Sequence, residues 1–287
     1  GEIGMEVIRA GTAGFCMGVS LALQKLEAAL RERTADTERI CTLGPIIHNP
    51  QVQEEYAAKG VARLDDPEQA RPGDVVVIRA HGVTRQTEER LRAGGARVLD
   101  ATCPKVKKAQ LAIARATAYG AVLLLFGEAD HPEVRGLVSY AGGPAHVFGG
   151  MEELTPLPLP VDRPYVLASQ TTQDRALFGT IEAYLLERLR KLTVLATICD
   201  ATRERQEEAR NIASRVDAMV VVGGRESGNT RRLADVARAA GIPTYHVERV
   251  DELQADLFAQ NRRAGLTAGA STPKSLIDAA EERLASL

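Results

Sequence analysis

Short apolar runs rich in β-branched residues alternate along this chain with longer stretches whose apolar positions recur every three to four residues. The first pattern marks buried strands and the second amphipathic helices. Strands are predicted over 7–9, 39–43, 75–79, 97–99, 121–126, 165–168, 193–196, 218–222, 244–247 and 265–267. Helices are predicted over 19–33, 50–59, 87–93, 104–119, 132–140, 174–191, 202–216, 230–240 and 273–286. Such alternation builds βαβ units around parallel sheets and places the chain in the α/β class. The punctuation agrees. Gly60, Gly94, Gly95, Gly120 and Gly241 follow helical stretches, where a left-handed residue closes a helix. Pro50, Pro104, Pro132 and Pro273 open them at the first turn.

A threefold grammar overlies this alternation. Strand, cysteine, helix recurs at Gly14-Phe15-Cys16-Met17-Gly18, Ala101-Thr102-Cys103-Pro104 and Thr197-Ile198-Cys199-Asp200. The intervals, 103 − 16 = 87 and 199 − 103 = 96 residues, are too wide for a local metal knuckle. They suit three repeated units folding around one shared point. The expected division is 15–102, 103–197 and 198–287 with 1–14. Between and after the cysteines, strands run out into polar loops: Ala80-His81-Gly82, then 127–131, Ser169-Gln170-Thr171-Thr172, 223–229 and 268–271. Ligands of open parallel sheets bind beyond the carboxyl ends of strands, so the polar inventory collects where a site is expected.

Composition narrows this picture. With 287 residues, the chain exceeds the size at which single cores usually stop growing, so two or three subdomains are expected. The 45% apolar and 26% charged content is that of a soluble globular protein. A net charge of −2 points to neither a nucleic-acid nor a membrane surface. The longest apolar run, 121–126, is far too short to span a bilayer. Met5 leads directly into a strand without a secretory pattern, so a cytoplasmic location is expected.

In that setting, four cysteines argue for metal or catalytic chemistry over disulfides. Cys41 lies inside a strand and reads as a small core residue. Cys16, Cys103 and Cys199 each lie at or near a helix start, where free N–H groups and the macrodipole favour a thiolate. Three thiolates without a fourth protein ligand suit an iron–sulfur cluster with one open position. The competing readings are three buried structural cysteines, or zinc without its usual paired spacing.

His48, His81 and His131 sit beside helix starts. With the Ser227-Gly228-Asn229 cradle and Ser271 they suit a phosphate or diphosphate. Each alone is more ordinary as a loop histidine or a cap. Glu133 reads as a proton donor with a raised pKa, or as a first-turn glutamate favoured by the dipole. Thr171 and Thr172 could position a hydroxyl or a water, or cap the helix predicted from 174.

Taken in order, these segments resemble one family across essentially the whole chain, the 4-hydroxy-3-methylbut-2-enyl diphosphate reductases (IspH/LytB). The resemblance rests on Phe15-Cys16-Met17-Gly18-Val19, His48-Asn49, Ala80-His81-Gly82-Val83, Asp100-Ala101-Thr102-Cys103-Pro104 and His131-Pro132-Glu133-Val134. It continues through Gln170-Thr171-Thr172, Ile198-Cys199-Asp200-Ala201-Thr202, Ser227-Gly228-Asn229 with Arg232-Leu233, and 267–271. Met17 stands where the family more often has a small residue. Gly228 stands where some members have a second serine, which removes a side-chain donor but keeps the amide.

The resemblance implies three pseudo-threefold-related α/β lobes, with mostly parallel sheets, around a central iron–sulfur cluster. It implies a [4Fe–4S] cluster on Cys16, Cys103 and Cys199, its apical iron open to the substrate's hydroxyl. His48, His81, His131, Thr171, Ser227, Gly228, Asn229 and Ser271 would bind the substrate, and Glu133 with Thr171 would relay protons. The implied reaction is reductive dehydroxylation of (E)-4-hydroxy-3-methylbut-2-enyl diphosphate to isopentenyl and dimethylallyl diphosphates plus water. This is the last step of the non-mevalonate isoprenoid pathway, with flavodoxin or ferredoxin as electron donor. Two alternatives stand beside it. A cluster-dependent hydro-lyase also uses three cysteines but handles carboxylates and favours Arg-rich contacts. A non-catalytic phosphate-binding α/β module would carry its cysteines incidentally. A radical-SAM enzyme is disfavoured, since no closely spaced cysteine triplet exists.

Overall fold

The computed structural model describes residues 4–34 and 38–287. Its strands are β1 (Glu6–Arg9), β2 (Ile40–Leu43), β3 (Ala62–Leu64), β4 (Val75–Ile78), β5 (Arg97–Asp100) and β6 (Val122–Phe126). They continue with β7 (Ala145–Phe148), β8 (Pro164–Ser169), β9 (Lys191–Val194), β10 (Ala218–Val222), β11 (Thr244–Val247) and β12 (Arg263–Ala268). The helices are α1 (Met17–Arg31), α2 (Pro50–Ala58), α3 (Arg85–Ala93), α4 (Pro104–Ala116) and α5 (Pro132–Ser139). After them come α6 (Met151–Leu154), α7 (Arg175–Leu186), α8 (Asp200–Ala213), α9 (Gly228–Arg238) and α10 (Lys274–Ala285).

The strands form three four-stranded sheets, ordered β3-β2-β4-β5, β7-β6-β8-β9 and β11-β10-β12-β1. Every pairing is parallel. Each sheet has one topology: its first strand lies second, its second strand takes the edge, and the third and fourth follow on the other side. In the last sheet the fourth place is filled by β1, from the other end of the chain, in register Glu6–Arg263 to Arg9–Leu266.

This order explains which strands are apolar. First and third strands are central and covered by helices on both faces, so they read as unbroken buried runs, as in β4, β6 and β10. Second and fourth strands lie at the edges and are partly exposed, as in β5, β7 and β9. Core clusters pack both faces of the β6 sheet, one around Leu124 and Phe126, the other around Leu123 and Leu125. The β10 sheet likewise has Val220 and Leu266 on one face and Met219 and Val221 on the other.

The structure departs from the sequence-based expectation at these edges. β3 and β7 are additional strands, and α6 is an additional short helix. The helix predicted over 174–191 ends at Leu186, with Glu187 as its C-cap, and β9 already begins at Lys191. Glu187-Arg188-Leu189-Arg190 reads as helical by charge, but burial of Leu189 in the core turns the chain there.

The chain divides into two compact units. One comprises the N-terminal stretch to Ser20, Ile47–Glu55 and Asp200–Leu287, and holds the β10 sheet. The other comprises Leu21–Ile46 and Tyr56–Cys199, and holds the β2 and β6 sheets.

Candidate active site

The shared topology gives each sheet three polar exits, one after its first, third and fourth strand. The three cysteines occupy the fourth-strand exits: Cys16 after β1, Cys103 after β5 and Cys199 after β9. Each directly precedes a helix, α1, α4 or α8, and each is a half-buried free thiol. The same backbone hydrogen bond seats all three. The amide of Cys16 donates to Ala270 O at 3.2 Å, that of Cys103 to Ala80 O at 2.9 Å, and that of Cys199 to Thr171 O at 2.9 Å. Each acceptor lies two residues past the third strand of its sheet (270 − 268, 80 − 78 and 171 − 169). Cys41 is different. It is fully buried in β2, and burial pushes its thiol up to about 11, far from a thiolate.

First-strand exits carry His48, His131 and Ser227, each five residues past its strand (48 − 43, 131 − 126 and 227 − 222). Each loop then starts a helix. Asn49 Oδ1 accepts from Val52 N at 3.1 Å, His131 Nδ1 from Glu133 N at 3.1 Å and Ser227 Oγ from Thr230 N at 3.3 Å. The His131 bond fixes its tautomer: Nδ1 accepts, so the proton of the neutral ring sits on Nε2. Third-strand exits carry His81, Thr171 with Thr172, and Ser271.

In the larger unit, the His81 and His131 rings meet edge to face at 5.4 Å between centroids. A bend at Gly82 (φ +76°) permits this, since a Cβ there would fall 2.9 Å from Gln110 Nε2. Arg79 lies in the same loop, donating to Leu43 O at 3.0 Å and Gly82 O at 3.4 Å. Burial, with the nearby charges of Arg63 and Arg135, lowers its pKa to about 10. It has no carboxylate partner among the described residues, so an uncompensated cation lies in the His81 loop.

Glu133, 2% exposed, follows His131. Thr171 grips its carboxylate twice: the amide donates to Oε1 at 2.6 Å and the hydroxyl to Oε2 at 3.0 Å. Burial raises its pKa to about 7, against the lowering effect of both Thr171 bonds. It is therefore a carboxyl poised to give or take a proton at neutral pH. The first-turn dipole alone does not describe it, and Thr171 is no cap. Asp174 takes that role for α7, accepting from Leu177 N at 2.7 Å.

In the smaller unit, Asn229 Oδ1 accepts from Ala270 N at 2.8 Å, tying the start of α9 to the loop that holds Ser271. Ser227, Gly228, Asn229 and Ser271 are all buried. A Cβ on Gly224 would fall 2.5 Å from His48 O, so the His48 backbone packs directly on the glycine turn before Ser227. His246, unassigned from sequence, braces that turn through Nε2 and Gly223 O at 2.9 Å.

Sequence reasoning did not single out three further groups. Asn49 Nδ2, Thr230 Oγ1 and both amide atoms of Gln110 are buried without a hydrogen-bond partner among the described residues. Buried polar atoms are rarely left without a partner, which sets these groups apart. Asn49 was readable from its place beside His48. Gln110 and Thr230 lie inside helices and gave no local sign.

Fold and exits together define a repeated α/β protein with one half-buried free cysteine after the fourth strand of each sheet, histidines, hydroxyls and amides at the other exits, and a buried acid. The chain belongs to the LytB protein family, whose model matches residues 7–285. It is 69% identical over 286 residues to the 4-hydroxy-3-methylbut-2-enyl diphosphate reductase of Desulfovibrio desulfuricans, covering 99% of this chain and 100% of that one. To the reductase of the same name from Geobacter sulfurreducens it is 46% identical, covering 98% and 97%. A solved (E)-4-hydroxy-3-methyl-but-2-enyl diphosphate reductase, described as the terminal enzyme of the non-mevalonate pathway, matches at TM-score 0.68 and 36% identity, covering 99% of this chain and 100% of that chain. The Plasmodium falciparum E-1-hydroxy-2-methyl-but-2-enyl-4-diphosphate reductase shares the fold at TM-score 0.90 and 24% identity, covering 96% and 86%. No helix among the described residues is long and apolar enough to cross a membrane.

Proposed function

We propose that this protein is a 4-hydroxy-3-methylbut-2-enyl diphosphate reductase of the cytoplasm, one α/β lobe per sheet. It would remove the substrate hydroxyl as water with two electrons and two protons. The observation that carries this reading is the equivalence of Cys16, Cys103 and Cys199, three half-buried thiols on one backbone hydrogen bond. The donor set fits an iron–sulfur cluster, since three free, half-buried thiols each stand at the start of a helix and thiol sulfur is the usual ligand of such clusters. Cys41, locked as a thiol, is left out of the ligand set. Bound there, a [4Fe–4S] cluster supplies electrons one at a time and a Lewis-acidic iron.

The protein's own groups do the rest. His48, His81, His131, Ser227, the Gly228 amide, Asn229 and Ser271 hold the diphosphate, and the uncompensated charge of Arg79 favours that anion. Glu133, near 7, delivers a proton to the departing hydroxyl, and Thr171 fixes its carboxyl for that step. Flavodoxin or ferredoxin would supply the electrons.

The test is anaerobic turnover of the reconstituted enzyme with reduced methyl viologen. Two reduced viologens should be consumed for each isopentenyl or dimethylallyl diphosphate formed. Substrate conversion by dehydration or hydration, with no viologen consumed, would replace this reading with the hydro-lyase. Absence of bound iron and of any turnover would leave only a phosphate-binding module.

A further inference from the structure

Topology makes the three cysteine-led helices equivalent, whereas charge makes them unlike. α1 has its first charged residue at Lys25. α8 is nearly balanced, with Asp200, Glu204, Glu207 and Glu208 against Arg203, Arg205 and Arg210. α4 carries Lys105, Lys107, Lys108 and Arg115 and no acidic residue, in a chain whose net charge is −2. Three of these cations fall within its first five positions, where the helix macrodipole disfavours positive charge.

Internal pairing does not account for them. Lys107 meets Asp100 at 3.1 Å, but Lys105 and Lys108 are exposed and have no carboxylate partner among the described residues. Leu111, one turn beyond Lys107 on the same face, is 44% exposed. Cations of one sign gathered on one face steer an oppositely charged partner. The face adjoins Cys103, the residue that caps α4. Lys108, five residues on, lies about 7.5 Å along the axis from it.

We propose that the outward face of α4, with Lys105, Lys107, Lys108 and Leu111, is the docking surface for an acidic ferredoxin. This rests on the reductase reading. Each docking event oxidises one reduced ferredoxin by one electron and reduces the group held by Cys103 by one. Two such events, with two protons, account for one substrate hydroxyl leaving as water. Complementary charge steers encounter and sets its salt dependence.

The test compares the loaded enzyme with a Lys105→Glu/Lys108→Glu variant and an Arg203→Glu control on α8. The double variant should raise the KM for reduced ferredoxin about tenfold or more, as loss of steering charges does. Its turnover with reduced methyl viologen should stay unchanged, and the control should behave as the parent. Calorimetric affinity for oxidised ferredoxin should fall with salt in the parent and much less in the double variant. An unchanged ferredoxin KM, equal losses with viologen, or productive binding of flavodoxin but not ferredoxin would overturn the proposal. Failure of the parent to oxidise viologen with substrate would instead overturn the reductase reading, and the calorimetry would still judge the surface.

Discussion

Glu133 costs stability in a pH-dependent way. Its carboxyl, at about 7 in the folded protein against an ordinary 4.5, holds its proton more tightly than in the unfolded chain. Stability from this group is therefore complete below about pH 4.5 and is lost as pH rises to about 7, the cost reaching on the order of 3 kcal/mol. Glu133→Gln keeps both partners, because a glutamine oxygen can accept from the Thr171 amide while its NH₂ donates to the Thr171 hydroxyl. The variant should therefore match or exceed the parent in urea midpoint at pH 8, with the advantage fading toward pH 5. Its kcat should fall about a hundredfold or more, the usual worth of a positioned acid. A stability difference independent of pH would refute the buried-acid account, and near-normal kcat would remove Glu133 from the proton relay. The residue itself was legible from His131-Pro132-Glu133, but its environment was not. Thr171 lies 38 residues away, and its alternative role as a helix cap disappears only once Asp174 is seen at that place.

Among the elements, legibility followed burial. Central strands such as β6, with all five residues buried, stand out as apolar runs. β3 is only three residues long and carries exposed Arg63, and β7 is half-covered and carries His146, so neither has the composition of a buried strand. The cysteine exits stood out for a different reason: they were recognisable from flanking residues, while the backbone bond that makes them equivalent joins distant parts of the chain. That equivalence makes a prediction at this scale. Cys16→Ala, Cys103→Ala and Cys199→Ala should each lose iron, labile sulfide and visible absorbance after anaerobic reconstitution. Cys41→Ala should keep all three, because it replaces a neutral, fully buried thiol with a slightly smaller apolar group. Retention of a full cluster by all three exit variants would dissolve the shared site.

At the scale of the whole molecule, the repeat is complete only if the chain is read as a circle. Two sheets take their four strands in sequence, while the third starts at β10 and ends with β1, paired to β12 across more than 250 residues. Arg9 at the end of β1 also reaches Asp278 and Glu281 of α10, both at 2.7 Å. Gly4 and Ala285 lie together, since a Cβ on Gly4 would fall 3.1 Å from Ala285 O. A short glycine–serine link can therefore join them without disturbing β1 or α10. New ends can be opened between Gly120 and Ala121. The turn there separates α4 from β6, Tyr119 is fully exposed, and the space where a Gly120 Cβ would stand is open, although Gly143 packs on the Gly120 carbonyl. Exposed turns of this kind tolerate new termini. In such a permutant β1 follows α10 directly, so the third sheet becomes contiguous like the other two. The permutant should reconstitute with the parent's iron content and retain turnover with reduced methyl viologen. It should also melt in one transition within a few degrees of the parent, as expected when a change of connectivity shifts stability by about 1 kcal/mol. An insoluble permutant would mean that the N-terminal origin of β1 is required for folding, and one that folds but binds no iron would mean that it is required to complete the iron site; in either case it is not merely where the circle happens to be cut.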